Sequence, residues 1–313
     1  MSDYKEIKGI KVQDLGADPP APFIGEVWYN NSSGDLKYYG GPILGSWATG
    51  GNLSTARAAL AGCGTQTAGL AFGGVPPPSR NVTEEYNGSA WTAGGNLGTG
   101  RSNLSGCGTQ TAGLGFGGYF PGSGNQTATE EYDGSTWTAG GALSTARNNG
   151  AGCGTQTAGL AFKSTTTEEY DGSTWTAGGL LGTPRSQLAA AGTQTAGLAF
   201  GGDPLTAATE EYNGTSWTAG GSMGTARYSL GGAGTQSAAL GFGGEEPALS
   251  AATEEYNGTS WTAGGNLGTA RRALAGAGTQ PAGLAFGGTP PATDATEEYT
   301  GGVPAGTRII GTD

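Results

Sequence analysis

TEEYNGTSWTAGG occupies residues 253–265, and the same letters stand at 209–221. Close copies stand at 83–95 (TEEYNGSAWTAGG) and at 129–141 and 167–179 (both TEEYDGSTWTAGG). A last TEEY at 296–299 has no Trp after it, and SWATGG at 46–51 has no TEEY before it. The chain is rich in Gly, 65 of 313 residues, with 15 Pro. Without a period, such a composition reads as low complexity or disorder. Here the period is strict. Trp47, Trp91, Trp137, Trp175, Trp217 and Trp261 each stand 10 positions before an Arg (Arg57, Arg101, Arg147, Arg185, Arg227, Arg271). Each Arg stands 15 positions before a Phe (Phe72, Phe116, Phe162, Phe200, Phe242, Phe286). Tyr86, Tyr132, Tyr170, Tyr212 and Tyr256 each precede a Trp by 5, and Tyr299 ends the series. Only the Phe-to-Tyr spacing varies, from 8 to 16. A disordered chain has no reason to confine every insertion to one segment.

Each repeat reads as four short strands between Gly-rich turns. In AGLAFGG (68–74), Leu70 and Phe72 share one face, and small residues fill the other, so this strand is expected to be buried on both sides. TEEY is half polar and reads as more exposed. The Asn-Gly or Asp-Gly after Tyr suits a tight hairpin into the Trp strand. A small-residue strand such as ALAGCGT (59–65) follows the Arg. No stretch reads as a helix of useful length.

Four-stranded repeats of this length suggest β-propeller blades. The order of signals (an apolar strand ending in Gly-Gly, then Tyr, Trp and Arg) resembles the Kelch repeat. The resemblance covers about residues 45–299 and departs at Lys163–Ser164, which replace the Gly doublet. It implies an all-β fold: a six-bladed Kelch-type β-propeller. The half copies then become one blade, with Trp47 completing the last sheet and the ring closed by this N-terminal strand. The expected organisation is an attachment arm at 1–44, a propeller at 45–299 and a tail at 300–313.

The Phe-to-Tyr segments should leave one face of the ring together. Five are longer than a tight turn, and the third (KSTT, 163–166) is short. They are either a binding face for a protein or glycan or the product of drift. Tyr119 and Phe120 in the longest segment are its best aromatic candidates, and Arg80 and Lys163 its only cations.

The paired glutamates from Glu84–Glu85 to Glu297–Glu298 recur in every repeat, whereas an active site is normally singular. Alternation puts the two on opposite strand faces, and a structural role beside the repeated arginines is expected. The Tyr and Trp sets read as packing residues. A galactose-oxidase-like copper site wants histidine, and the chain has 0 His. YDGSTW loosely resembles a sialidase Asp-box with the wrong spacing. No catalytic residue, metal or cofactor is expected, with a propeller glycan hydrolase as the residual enzyme alternative. Cys63, Cys107 and Cys153 share one repeat position that Ala fills at 191, 233 and 277, a small buried site with no disulfide framework. The formal charge of −11 argues against nucleic acid. No signal peptide or membrane span is read.

Residues 1–44 differ. They hold Lys5, Lys8, Lys11 and Lys37, a strand candidate with Ile10 and Val12 on one face, a stiff DPPAP linker (18–22), and a hairpin over 25–41 containing Trp28 and Tyr29. The pattern G-x-x-W-Y-N, a polar turn and L-K-x-Y resembles a segment of bacteriophage tail-fibre and other virion proteins. GTQTAGLAFGG and EEYNGTSWTAGG resemble Kelch-like structural proteins of tailed phages of aquatic bacteria. The resemblance implies a non-enzymatic virion protein, tail or fibre associated. It implies assembly in the host cytoplasm and release by lysis. Its expected partners are other virion proteins, copies of itself and a host-surface glycan or protein. Ile10, Val12, Trp28 and Tyr29 are then candidates for attachment. A bacterial Kelch-type adaptor is the alternative.

Overall fold

A computed structural model describes residues 12–77, 79–303 and 305–310. The described chain is all β apart from one short 3-10 turn, Ser79–Asn81. It divides into two compact units, one spanning Ser46–Gly301 and one made of the described residues up to Gly45 with those from Gly302 onward.

The larger unit contains six four-stranded antiparallel sheets of one pattern. In the first, Ala61–Thr65, Ala68–Phe72, Thr83–Tyr86 and Trp91–Ala93 pair in chain order. Equivalent sheets follow over 105–139, 151–177, 189–219 and 231–263. The sixth takes Ala275–Thr279, Ala282–Phe286 and Thr296–Thr300, and its fourth strand is Ser46–Thr49, with Trp47 opposite Tyr299. The two half copies in the sequence are thus one sheet.

The second strand of each sheet is buried on both faces, as its sequence requires; Leu70, Ala71 and Phe72 are inaccessible to solvent. The cores lie between neighbouring sheets. Trp91 packs on Tyr86 of its own sheet and on Phe286 of the sixth, each at 4.9 Å between ring centres. Glycine in the first strand has a steric reason: a Cβ at Gly62, Gly106 or Gly152 would collide with the Phe ring of the preceding sheet. The cysteines fill the same layer. Cys63 Sγ faces the Thr109 carbonyl of the next sheet at 3.6 Å, and burial pushes its pKa up to about 12. A neutral thiol in a site of methyl size explains why Ala replaces it elsewhere.

The smaller unit is a mixed four-stranded sheet. Gln13–Leu15 runs parallel to Val27–Asn30, which forms the expected hairpin with Asp35–Gly40. The last strand is Gly306–Ile309, with Lys37 opposite Ile309 and Gly40 opposite Gly306. Within the segment expected as a separate tail (300–313), Gly306–Ile309 thus pairs with the edge of Asp35–Gly40 and joins the arm's sheet, whereas Thr300 ends a strand of the sixth sheet. Ile10 lies outside the described residues. Val12 is exposed just before the first strand.

Candidate functional site

The repeated charges are internal. Arg57 Nη2 donates to Glu84 Oε1 at 2.7 Å, with both side chains fully buried. Glu84 Oε2 accepts from the Ser54 N–H at 2.6 Å. Arg57 Nη1 donates to the carbonyls of Gly73 and Val82 at 3.0 and 2.8 Å. These carbonyls mark the two ends of the variable segment 75–82. Arg101 holds Gly117 and Ala128 in the same way, Arg185 holds Gly201 and Ala208, Arg227 holds Gly243 and Ala252, and Arg271 holds Gly287 and Ala295. Each of these arginines thus clamps the neck of its own loop, so the loop beyond the neck changes length without disturbing the sheet. Burial lowers the arginine pKa values, and the paired glutamates oppose that shift.

The second glutamate of each pair accepts a phenol proton from the next sheet. Tyr132 donates to Glu85 and Tyr170 to Glu131, each at 2.5 Å, and Tyr86 of the first sheet donates to Glu298 of the sixth at 2.5 Å. Burial, then the bond to the carboxylate, pushes Tyr86 and Tyr132 up to about 12. Trp indole N–H groups repeat this stitching: Trp137 donates to Thr83, and Trp91 to Thr296, both at 2.9 Å. At the opposite end, each TQT glutamine donates to two carbonyls of the preceding sheet, as Gln66 does to Gly283 and Tyr299. That role was hidden in sequence because TQT reads as an ordinary polar turn.

Of the sequence candidates, Tyr119 and Phe120 are exposed, 39% and 38%, on a small hairpin that pairs Tyr119 with Asn125 and Phe120 with Gly124. Arg80 is not fully exposed. It is half-buried, its Nε is enclosed without a partner, and its carbonyl accepts from Arg101 N–H at 2.9 Å. Tyr119 exchanges two backbone bonds with Ser102, so Arg80 and Tyr119 meet at consecutive residues of one segment. Lys163 is also seated inward. Its ammonium donates to Asn148 Oδ1 at 3.0 Å, and burial, then Arg147, lowers its pKa. Gly150 makes this possible: a Cβ there would lie 3.0 Å from the Phe162 carbonyl and 3.4 Å from Lys163 Cβ. The irregular Lys163–Ser164 and the irregular Asn148–Asn149–Gly150 therefore belong to one local repacking.

In the arm, Trp28 is fully buried, and its Nε1 donates to Asp18 at 3.1 Å. Asn30 and Lys37 donate to the same carboxylate, and these bonds, Asn30 first, hold Asp18 below its ordinary range. Trp28 pins the DPPAP segment and presents no ring for attachment. Tyr29 is half-buried. Among the described residues, the exposed large apolar side chains of this unit are Val12, Phe23, Ile24, Ile43, Leu44, Val303, Ile309 and Ile310.

One constellation was missed in the sequence. Two residues after each repeated arginine stand Ala59, Asn103, Asn149, Gln187, Ser229 and Ala273. All six are non-Gly residues with φ between 51° and 53°. Each N–H donates to the equivalent carbonyl of the preceding repeat: Asn103 to Ala59, Asn149 to Asn103, Gln187 to Asn149, Ser229 to Gln187 and Ala273 to Ser229. Ala59 completes the series by donating to Ala273 at 2.8 Å. With the residue after each, they line a cavity of about 140 Å³. It shares an end with the variable loops, since Ser102 bridges Tyr119 and Tyr228 bridges Glu245. The signal available in sequence was a position that changes residue inside a fixed spacing.

Among the described residues, no group of three His, Cys, Asp or Glu is placed to hold a metal, and no helix is long and apolar enough to cross a membrane. No protein-family model matches the sequence, and no curated protein matches it. Among solved structures, the one described as "Structure of YjhT" is similar over 84% of this chain and 100% of its own, with a TM-score of 0.67 and 11% identity. At that identity the likeness concerns the fold alone: repeated four-stranded sheets of propeller type.

Proposed function

We propose that the six sheets form one closed six-bladed propeller of Kelch type, and that the chain is a non-enzymatic virion component of a tailed phage. The arm attaches it, and the loop-bearing end of the propeller presents a surface to a host or virion partner. One observation carries the division of labour. The residues that repeat are engaged in holding sheets together, whereas the segments that differ in length between repeats leave the sheets at one end. The glutamates, the feature most suggestive of acid-base chemistry, accept bonds from Arg, Tyr and backbone donors in every repeat. Closure is supported by the Tyr86–Glu298, Trp91–Thr296 and Gln66–Tyr299 bonds, which join the last sheet to the first. Attachment is supported by Phe23, Ile24, Ile43 and Leu44, large apolar side chains that are each more than half exposed. The virion reading rests on the resemblance of the repeats and of the G-x-x-W-Y-N segment to phage structural proteins.

The test removes residues 1–45 together with 302–313, because a cut of the N-terminal strands alone would strip Gly306–Ile309 of its neighbour. The remaining Ser46–Gly301 protein is expected to fold and to be absent from purified particles by mass spectrometry, while the full chain is present. Particles that incorporate both forms equally would refute the arm's role. Absence of the full chain from particles would refute the virion reading in favour of a cellular adaptor.

A further inference from the structure

We infer that the cavity ringed by Ala59, Asn103, Asn149, Gln187, Ser229 and Ala273 is a binding site for a neutral saccharide. Three observations point to a ligand. The first is strain without relief. A positive φ strains a residue with a Cβ, Asn least, and glycine adopts it freely. The chain uses glycine at many other positive-φ positions, yet none of these six is glycine. Ring formation needs only the backbone, so the side chains are retained for another reason. The second is the distribution of those side chains. Four successive repeats place carboxamides or a hydroxyl at the rim, and the two that meet across the Ala59–Ala273 bond place methyl groups. The third is hydrogen-bonding capacity that no protein group uses. No hydrogen bond among the described residues engages the side-chain amides of Asn103 or Asn149. Gln187 uses only its Oε1, which accepts from Ser229 Oγ at 2.6 Å.

The chemistry of the lining selects the ligand class. None of the lining residues is charged. Left-handed backbone can form an anion-binding nest, but here every N–H of the ring already donates to a neighbouring carbonyl. Phosphate or carboxylate would therefore find no cation there, only neutral amide and hydroxyl donors. A metal ion would lack an anionic ligand. Hydroxyl groups both donate and accept, as carboxamides do, so a polyol can satisfy Asn103, Asn149 and Gln187 at once. The apolar side of the ring suits C–H edges of a pyranose. It consists of Ala59, Ala273 and the leucines that follow them, Leu60 and Leu274. The inference rests on the ring reading of the six sheets and not on the virion reading.

The test uses the purified full chain and saturation-transfer NMR with methyl β-glucoside, methyl β-galactoside and methyl β-N-acetylglucosaminide. Transfer to at least one glycoside is expected. The Asn103→Gly/Asn149→Gly variant keeps a residue suited to positive φ, so its near-ultraviolet circular dichroism should match the parent and its unfolding midpoint should be no lower. Its glycoside affinity is expected to be at least about tenfold weaker, from the loss of two amide partners. Ala273→Gly, on the methyl side, should leave affinity within about twofold, because only one methyl contact is removed. Inorganic phosphate should not displace the glycoside. No transfer to any of the three, displacement by phosphate, or equal binding by the folded double variant would each overturn the inference. Because the assay contains no particles, its outcome is independent of whether the chain occurs in a virion.

Discussion

Tyr86 donates its phenol proton to Glu298, 212 positions later in the chain, across 2.5 Å. Tyr132 makes the same bond to Glu85, 47 positions away. A bond that is local between most neighbouring sheets is thus made between the two extremes of the repeat array. On the closed-ring reading, the strand holding Trp47 bears the same load as its equivalents in the middle of the chain.

Trp47→Ala tests that reading against a matched control, Trp217→Ala. Trp47 contacts Phe242 and Tyr299 at 5.0 Å, and Trp217 contacts Phe162 and Tyr212 at 4.9 Å; each indole donates to a Thr at 2.9 Å. Both substitutions are expected to cost about 3 kcal/mol in urea unfolding. A frayed, open end would instead make Trp47→Ala cost less than about 1 kcal/mol.

The phenol-carboxylate bonds set an alkaline limit. A phenol whose folded pKa lies above its unfolded value stabilises the fold fully below the unfolded value, and that contribution is lost as pH rises through the folded one. Tyr86, Tyr132, Tyr170 and Tyr256 are each raised from 10 to about 12. Melting temperature is expected to hold up to pH 10 and to fall between 10 and 12, and Tyr132→Phe should reduce the steepness of that fall. A flat profile through this window would contradict the assignment.

The arginine clamp predicts a non-additive pair. Arg227→Ala leaves Glu254 buried without its partner and frees both ends of the loop, for an expected loss of about 3–5 kcal/mol. Arg227→Met with Glu254→Gln removes the orphaned charge, so the double variant should be more stable than the sum of its single changes. Additive losses in urea unfolding would show that the pair does not act as a unit.

Much of this was legible before the structure. Fixed Trp–Arg–Phe spacings confined variation to one segment, and the half copies at 46–51 and 296–299 identified one shared sheet. The glutamate pairs could be assigned a structural role because they recur in every repeat. What stayed hidden depends on contacts that spacing does not encode. Lys163 looked like a loop cation, yet it is drawn inward to Asn148 beside Gly150, a partner in a different segment. Trp28 looked presentable, yet Asp18 caps its indole. Gly306–Ile309 carries no repeat signal, and only its pairing with Asp35–Gly40 gives it a place. The left-handed ring was invisible because Ala, Gln and Ser give no local sign of positive φ.

Loop exchange separates use from drift on the variable end. Arg101 grips Gly117 and Ala128, so a short loop grafted between them keeps its neck. Replacing 119–127 with the four residues of 163–166 is expected to change stability by less than about 1 kcal/mol. It should also weaken adsorption of particles to host cells through loss of Tyr119 and Phe120. Unchanged adsorption would mark this loop as drift.

The virion assignment is tested most directly by negative-stain microscopy of purified particles with gold-labelled antibody against Ser46–Gly301. The account predicts gold at a fixed position on the tail or its fibres, on most particles. Particles that carry no label, from lysates in which the same antibody detects the chain, would contradict it.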